Sequence, residues 1–275
     1  MAQSALNCAN AALYKLGGVT ITSVSGADTS KEGLVCTDRL DVCKQAVLRM
    51  HPWNFATKRK TITPPTTVTL TTPFVEYVST NTIKFTVASH SFVAADYVTS
   101  LNTGTVEGEG VFEVASVTAT TITCTAPGVT ALTGTPAAGT IRLSPAFDFT
   151  FLYTLPTDCL RLISIFEEVS SPRWRLEGRK ILSEVDVAMD LKYIYDVTDY
   201  TTMDVHFYEC LATYLAWDIC DHITGDDRKK RDLWTDLHGG DGKVGLLPRG
   251  RFSDATEESL RTMETTDWLV ARGTA

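Results

Sequence analysis

Apolar residues recur at spacings of three and four twice near the start of the chain, and each pattern predicts a helix. Leu6, Ala9, Leu13 and Leu16 form one stripe, closed by Gly17-Gly18, because glycine accepts the left-handed conformation that ends a helix. After a loop at Ser23 to Ser30, Thr29 or Ser30 is placed to cap a second helix with Cys36, Leu40, Cys43, Val47 and Met50 on one seam. The narrow seam predicts packing along another helix, from the same chain or from a neighbouring copy. Pro52 stops it.

From about Thr61 to Ser144 the pattern changes to short alternations such as Thr82-Ile83-Lys84-Phe85-Thr86-Val87, separated by glycine and proline turns. About a quarter of this stretch is threonine and charges are sparse. Strands are predicted at 73–79, 82–88, 95–101, 110–117, 120–125 and 139–144, enough for a small sandwich or barrel that closes most of its own edges. Pro64-Pro65 and Ser144-Pro145 read as its hinges.

Helical and extended patterns flank this module on both sides, so it reads as an insertion into a host domain. In the second half, Leu160 to Glu168 is expected to be extended, Arg173 to Leu182 a hairpin about Gly178, and Leu191 to Val197 a strand. Phe207, Leu211, Tyr214, Leu215 and Ile219 mark the longest amphipathic helix, ended near Thr224-Gly225, and another follows from Asp226 to about His238. The expected class is α+β. Its parts are a helical-bundle host with a hairpin or small sheet (1–61 and 146–238), an inserted all-β module (62–145) and a C-terminal arm (239–275). The arm has one modest helical candidate, Asp254 to Met263, and few apolar anchors, so it is expected to bury little against its own domain.

The chain has 275 residues, 44% of them hydrophobic and 21% charged, which permits a real core of one or two domains. Its formal net charge of −8 argues against a surface devoted to gripping phosphate backbones. Seven cysteines without a C-x-x-C pair read as buried reduced thiols, which points to a reducing compartment. The first residues lack the pattern of an export signal, and no run of about 18 uncharged apolar residues exists, so neither export nor a spanning helix is expected.

Searches for chemistry return little. The sequence contains no G-x-S-x-G, no H-E-x-x-H, no G-x-G-x-x-G and no phosphate loop, since Gly242-Lys243 is followed by Val244. Asp218 and His222, four apart on one helix face, with Asp226, resemble a cation site, but an exposed acidic helix end has the same pattern and is preferred. His51 and His90 read as hydrogen-bonded structural residues. No cofactor, metal or catalytic residue is expected. The runs Lys58-Arg59-Lys60 and Arg228-Lys229-Lys230-Arg231 are short and lack interleaved aromatic residues, so an acidic partner surface or simple solvation is favoured over nucleic acid.

A more specific signal is the helix ending in His51-Pro52-Trp53-Asn54-Phe55-Ala56-Thr57-Lys58-Arg59, preceded by the Ala12 to Gly17 stretch A-L-Y-K-L-G. With Leu155-Pro156-Thr157-Asp158-Cys159-Leu160-Arg161, Trp174 to Gly178, Tyr193-Ile194 with Asp196, and Phe207-Tyr208-Glu209, it resembles the head-to-tail adaptors of short-tailed phages, the tail tubular protein A family. The similarity covers roughly 1–60 and 150–238. The β insert departs from the simplest members, whose connection there is shorter. The resemblance implies a non-enzymatic virion protein that assembles in the host cytoplasm and sits in the tail at the head–tail interface. It implies a ring of twelve copies between the portal protein and the tail nozzle protein, with genomic DNA passing through its channel without sequence recognition.

An acidic balance suits such a conduit, because a lumen rich in cations would slow the sliding of DNA. The expected subunit or partner contacts are Trp53, Phe55, Lys58, Arg59, Arg228, Lys229, Arg249, Arg251, Phe252 and Trp268, with the β module meeting nozzle or tail fibres and the arm docking on the portal or a neighbour. Core packing is the plainer reading for Trp53 and Phe55. The alternative function is a surface- or carbohydrate-binding tail module on a helical base; a hydrolase at Asp218 and His222 is a third, weaker reading.

Overall fold

The computed structural model describes residues 3–166, 173–240 and 242–257. In chain order these form α1 (Ala5–Leu16), α2 (Lys31–Met50), β1 (Thr57–Ile62), β2 (Val68–Ser79), β3 (Thr82–Val87), β4 (Tyr97–Leu101), β5 (Gly110–Val117), β6 (Thr121–Thr125) and β7 (Thr140–Leu143). There follow β8 (Phe151–Thr154), β9 (Cys159–Phe166), β10 (Trp174–Glu177), β11 (Lys180–Ser183), β12 (Met189–Tyr195), α3 (Val205–Ile223), α4 (Asp227–His238), the short β13 (Gly239–Gly240) and β14 (Lys243–Val244), and α5 (Leu246–Thr256). The class is α+β, as the two hydrophobic periods require. β1, β12 and β9 form a three-stranded sheet in that order.

The chain divides into two compact units. One takes Met1–Lys58, Asp158–Ile163 and Tyr193–Ala275; the other takes Arg59–Thr157 and Ser164–Lys192.

In the first unit, the helix ends are fixed by their caps. Ser4 Oγ accepts the Asn7 N–H at 3.1 Å, Gly17 closes α1 at φ 73°, and Ser30 Oγ accepts the Gly33 N–H at 3.1 Å. α3 is the centre of the core, with Phe207, Cys210, Leu211, Leu215, Ala216, Ile219 and Cys220 all buried. α1, α2, α4 and α5 all pack against it. The seam Cys36, Leu40, Cys43 and Val47 is buried within this chain, so the option that it waits for a neighbouring copy is set aside.

The second unit contains a closed six-stranded barrel, in the order β2-β3-β6-β5-β4-β7, which decides between the two β architectures expected. Alternation explains it: Ile83, Phe85 and Val87 point inward from β3 and Ile122 and Cys124 from β6, while Thr82, Thr86, Thr121 and Thr123 stay part-exposed between them. Closure leaves no unpaired edge in the barrel, which suits a module so rich in strand-forming threonine.

Three expectations need correction. The sheet β10-β11-β8 belongs to the barrel unit rather than the helical one; one contact of the sheet with a barrel strand is the Arg142 guanidinium of β7, 4.1 Å from the centre of the Phe151 ring on β8, which no sequence period reveals. Residues 239–257 do not form a free arm. Their helix is Leu246–Thr256, placed earlier than expected, and it buries Leu247 and packs against α3 and α4. Pro248 falls in its first turn, where a missing N–H costs nothing. Trp268, and most of the predicted helix 254–263, lie outside the described residues.

Candidate interaction surfaces

Trp53, named as a contact residue, is wholly buried. Its Nε1–H donates to the Val47 carbonyl at 3.2 Å, and its ring meets Phe207 edge-on at 5.3 Å. Phe55, half-buried, meets the same Phe207 ring at 4.9 Å. The W-N-F-A element is therefore the hinge pin of the helical core, and for Trp53 the core reading holds while the contact reading is set aside. Gly250 of α5 lies so close that an added methyl carbon would stand 3.2 Å from Trp53 Cη2 and 3.4 Å from His206 Cβ.

Three of the predicted cations are engaged within the chain. Lys229 Nζ donates to the Leu16 carbonyl at 2.6 Å and Arg251 to the Met50 carbonyl at 3.2 Å, so each satisfies an orphan carbonyl at the end of α1 or α2. Lys58 binds Asp158 at 2.6 Å and lies 5.3 Å from the centre of the Tyr195 ring. Burial alone would raise the Asp158 carboxyl, but hydrogen bonds from Lys58 and Tyr193 and the charge of Lys58 hold it below the usual carboxylate range. Arg59, Arg228, Arg249 and Phe252 are exposed, Phe252 by 74%.

The acidic cluster is also engaged. Asp218 receives both prongs of Arg39, Nε at 2.6 Å and Nη2 at 3.0 Å. Asp226 caps α4 by accepting the N–H groups of Arg228 and Lys229. His222 is exposed. Among the described residues, no group of three or more His, Cys, Asp or Glu side chains is placed to share a metal ion, and no helix is long and apolar enough to cross a membrane. His90 takes the structural role expected: its Nδ1 accepts the Phe92 N–H at 3.2 Å, which leaves Nε2 to donate to the Thr118 carbonyl at 2.7 Å.

Where α4 crosses α3, a feature emerges that sequence reading missed. Tyr214, Trp217, Trp234 and His238 form a continuous ladder, with ring centres 5.5, 4.9 and 3.8 Å apart. Lys230, ion-paired to Asp221, sits 5.5 Å from the Trp217 ring. A groove of about 550 Å³ runs along this ladder, lined by Trp217, Asp227, Lys230, Arg231, Trp234 and Thr235. The basic run itself holds no interleaved aromatic residue, but the fold brings Trp217 and Trp234 to it. The i, i+4 spacing of Lys230, Trp234 and His238 carried the signal, and Trp217 reaches it only through the helix crossing. Arginine and tryptophan brought together at a half-exposed surface are the side chains on which protein contacts concentrate.

No protein-family model matches the chain, and no curated protein matches it either.

Proposed function

We propose that this chain is a structural virion protein, a ring-forming head-to-tail adaptor that joins the portal to the tail nozzle around a channel for the genome. The observation that carries this reading is the aromatic–basic groove at Trp217 and Trp234, a ready-made protein contact on a unit whose core is otherwise closed. The W-N-F-A turn supports it: the residues behind the resemblance are those that lock α2, α3 and α5 together. The proposed ring has twelve copies, with the barrel unit free to meet nozzle or fibres. DNA slides past a chain of net charge −8 without sequence readout. Gold-labelled antibody against the chain, applied to purified virions of the source phage, should decorate the junction between capsid and tail. Labelling elsewhere, or none on opened particles, overturns the reading.

The second reading, a carbohydrate-binding tail module, draws on a polar groove of about 860 Å³ in the barrel unit, lined by Lys60, Thr66, Thr67, His90 and Thr154 among others. Its two best platforms are withdrawn, since Phe92 and Tyr153 are buried and Tyr153 spends its hydroxyl on the Val185 carbonyl at 2.8 Å. A glycan array probed with the full chain distinguishes the two readings, because specific sugar binding is expected only of this one.

A further inference from the structure

The Trp217–Trp234 groove combines apolar ring faces with two cations, Lys230 and Arg231, and one carboxylate, Asp227; Lys230 is paired to Asp221, which leaves Arg231 to meet an acid. Trp234 remains 43% exposed, and Arg231, which lines the groove with it, is exposed as well. The complement of this surface is present in the chain's own sequence. Beyond the described residues lie 258–275, and within them 262–270 reads T-M-E-T-T-D-W-L-V, with two acids, no base and four large apolar side chains. Eighteen residues span up to about 60 Å when extended, at about 3.3 Å each, so reach is not limiting. The segment leaves from α5, whose Gly250 packs beside His206 at the start of α3, while Trp217 stands eleven residues further along that helix, about 16 Å at 1.5 Å per residue. Such a reach allows docking on the same copy or on the next, and within the ring reading the second choice makes a head-to-tail contact that closes when the rotation per copy allows.

We propose that residues 262–270 of one copy dock in the Trp217–Trp234 groove of the next, with Trp268 stacked on the Trp ladder and the acids Glu264 and Asp267 set towards Arg231. This inference rests on the ring reading above and names the contact that would hold neighbours together.

The test uses the full chain. All seven native cysteines are buried, so a double variant, Thr235→Cys with Thr266→Cys, places one reactive thiol in the groove and one in the segment. Mild oxidation should give a ladder of disulfide-linked multimers on a non-reducing gel, and neither single variant should do so. A bridge confined within single chains, or no bridge, overturns the proposal. Native mass spectrometry of the unaltered chain separates this failure from that of the ring itself. Rings without the cross-link overturn only the docking, and the absence of rings both alone and on a portal protein overturns both. As a second arm, Trp268→Ala should weaken self-association at least about tenfold without changing the thermal melt, and Trp268→Phe should restore most of it. Equal assembly of all three forms also overturns the proposal.

Discussion

The carboxylate of Asp254 accepts the backbone N–H of Asn54 at 2.8 Å, across 200 positions of sequence. Asn54 returns the contact by donating its side-chain amide to the Asp254 carbonyl at 2.7 Å, and His51 Nε2 lies 3.0 Å from the other carboxylate oxygen. This clasp fastens α5 to the W-N-F-A turn. Because its partners are largely buried, removing the acid strands their donors, at about 1–3 kcal/mol. Asp254→Ala should therefore speed amide exchange across α5 while leaving that of α2 and α3 nearly unchanged. Uniform acceleration would show that α5 is not a separately released element.

Trp53 is the largest side chain that is completely buried. Trp53→Ala should cost about 3–5 kcal/mol, seen as a lower urea midpoint, because the cavity would be lined by Phe207 and Gly250, which cannot collapse into it. A loss below about 1 kcal/mol would contradict the packing described.

Arg39 and Asp218 tie α2 to α3 by a two-pronged ion pair that is part-exposed on the arginine side. A double-mutant cycle with Arg39→Ala and Asp218→Asn should show a coupling of about 1 kcal/mol, smaller in high salt. A coupling near zero would mean that the pair is ornamental.

Two carboxylates set the response to acid. Asp28 is held down to about 2 by the Ser30 hydroxyl and then by the Thr22 and Ser30 N–H groups, and Asp158 is held below its ordinary range by Lys58 and Tyr193. A depressed folded-state pKa contributes stability that is complete above the unfolded value, about 3.9, and is lost as pH falls through the folded one. Urea midpoints should therefore hold level above about pH 5 as far as these groups decide, then fall between about pH 4 and pH 2. In Asp158→Asn the gap to the parent chain should narrow as pH drops through this window; a widening gap would have the wrong sign.

All seven thiols are buried, and burial pushes Cys8, Cys43, Cys124 and Cys210 up to about 12. The folded chain should resist a thiol reagent at pH 8 and release all seven equivalents once denatured. A fast-reacting thiol in the native state would contradict the packing of α1, α2 and α3.

Both hydrophobic periods were readable wherever each side chain faced one environment. The four-three seam of Cys36 to Val47 marked α2, and the Thr82 to Val87 alternation marked a barrel strand. What escaped was settled by contacts distant in sequence. The docking of α5 depends on Gly250 against Trp53 and Asp254 against Asn54, and neither glycine nor aspartate advertises a buried partner. The same holds for the groove, since Trp217 and Trp234 meet only after α3 and α4 cross. Cations were misread for a related reason: Lys229 and Arg251 look solvated in sequence, yet each closes a helix end inside its own chain.

The most direct measurement is electron microscopy of the purified chain, alone and mixed with a portal protein. The adaptor account predicts closed rings of repeated copies, seated coaxially on the portal. Dispersed single chains that leave the portal bare at every concentration tried would contradict it.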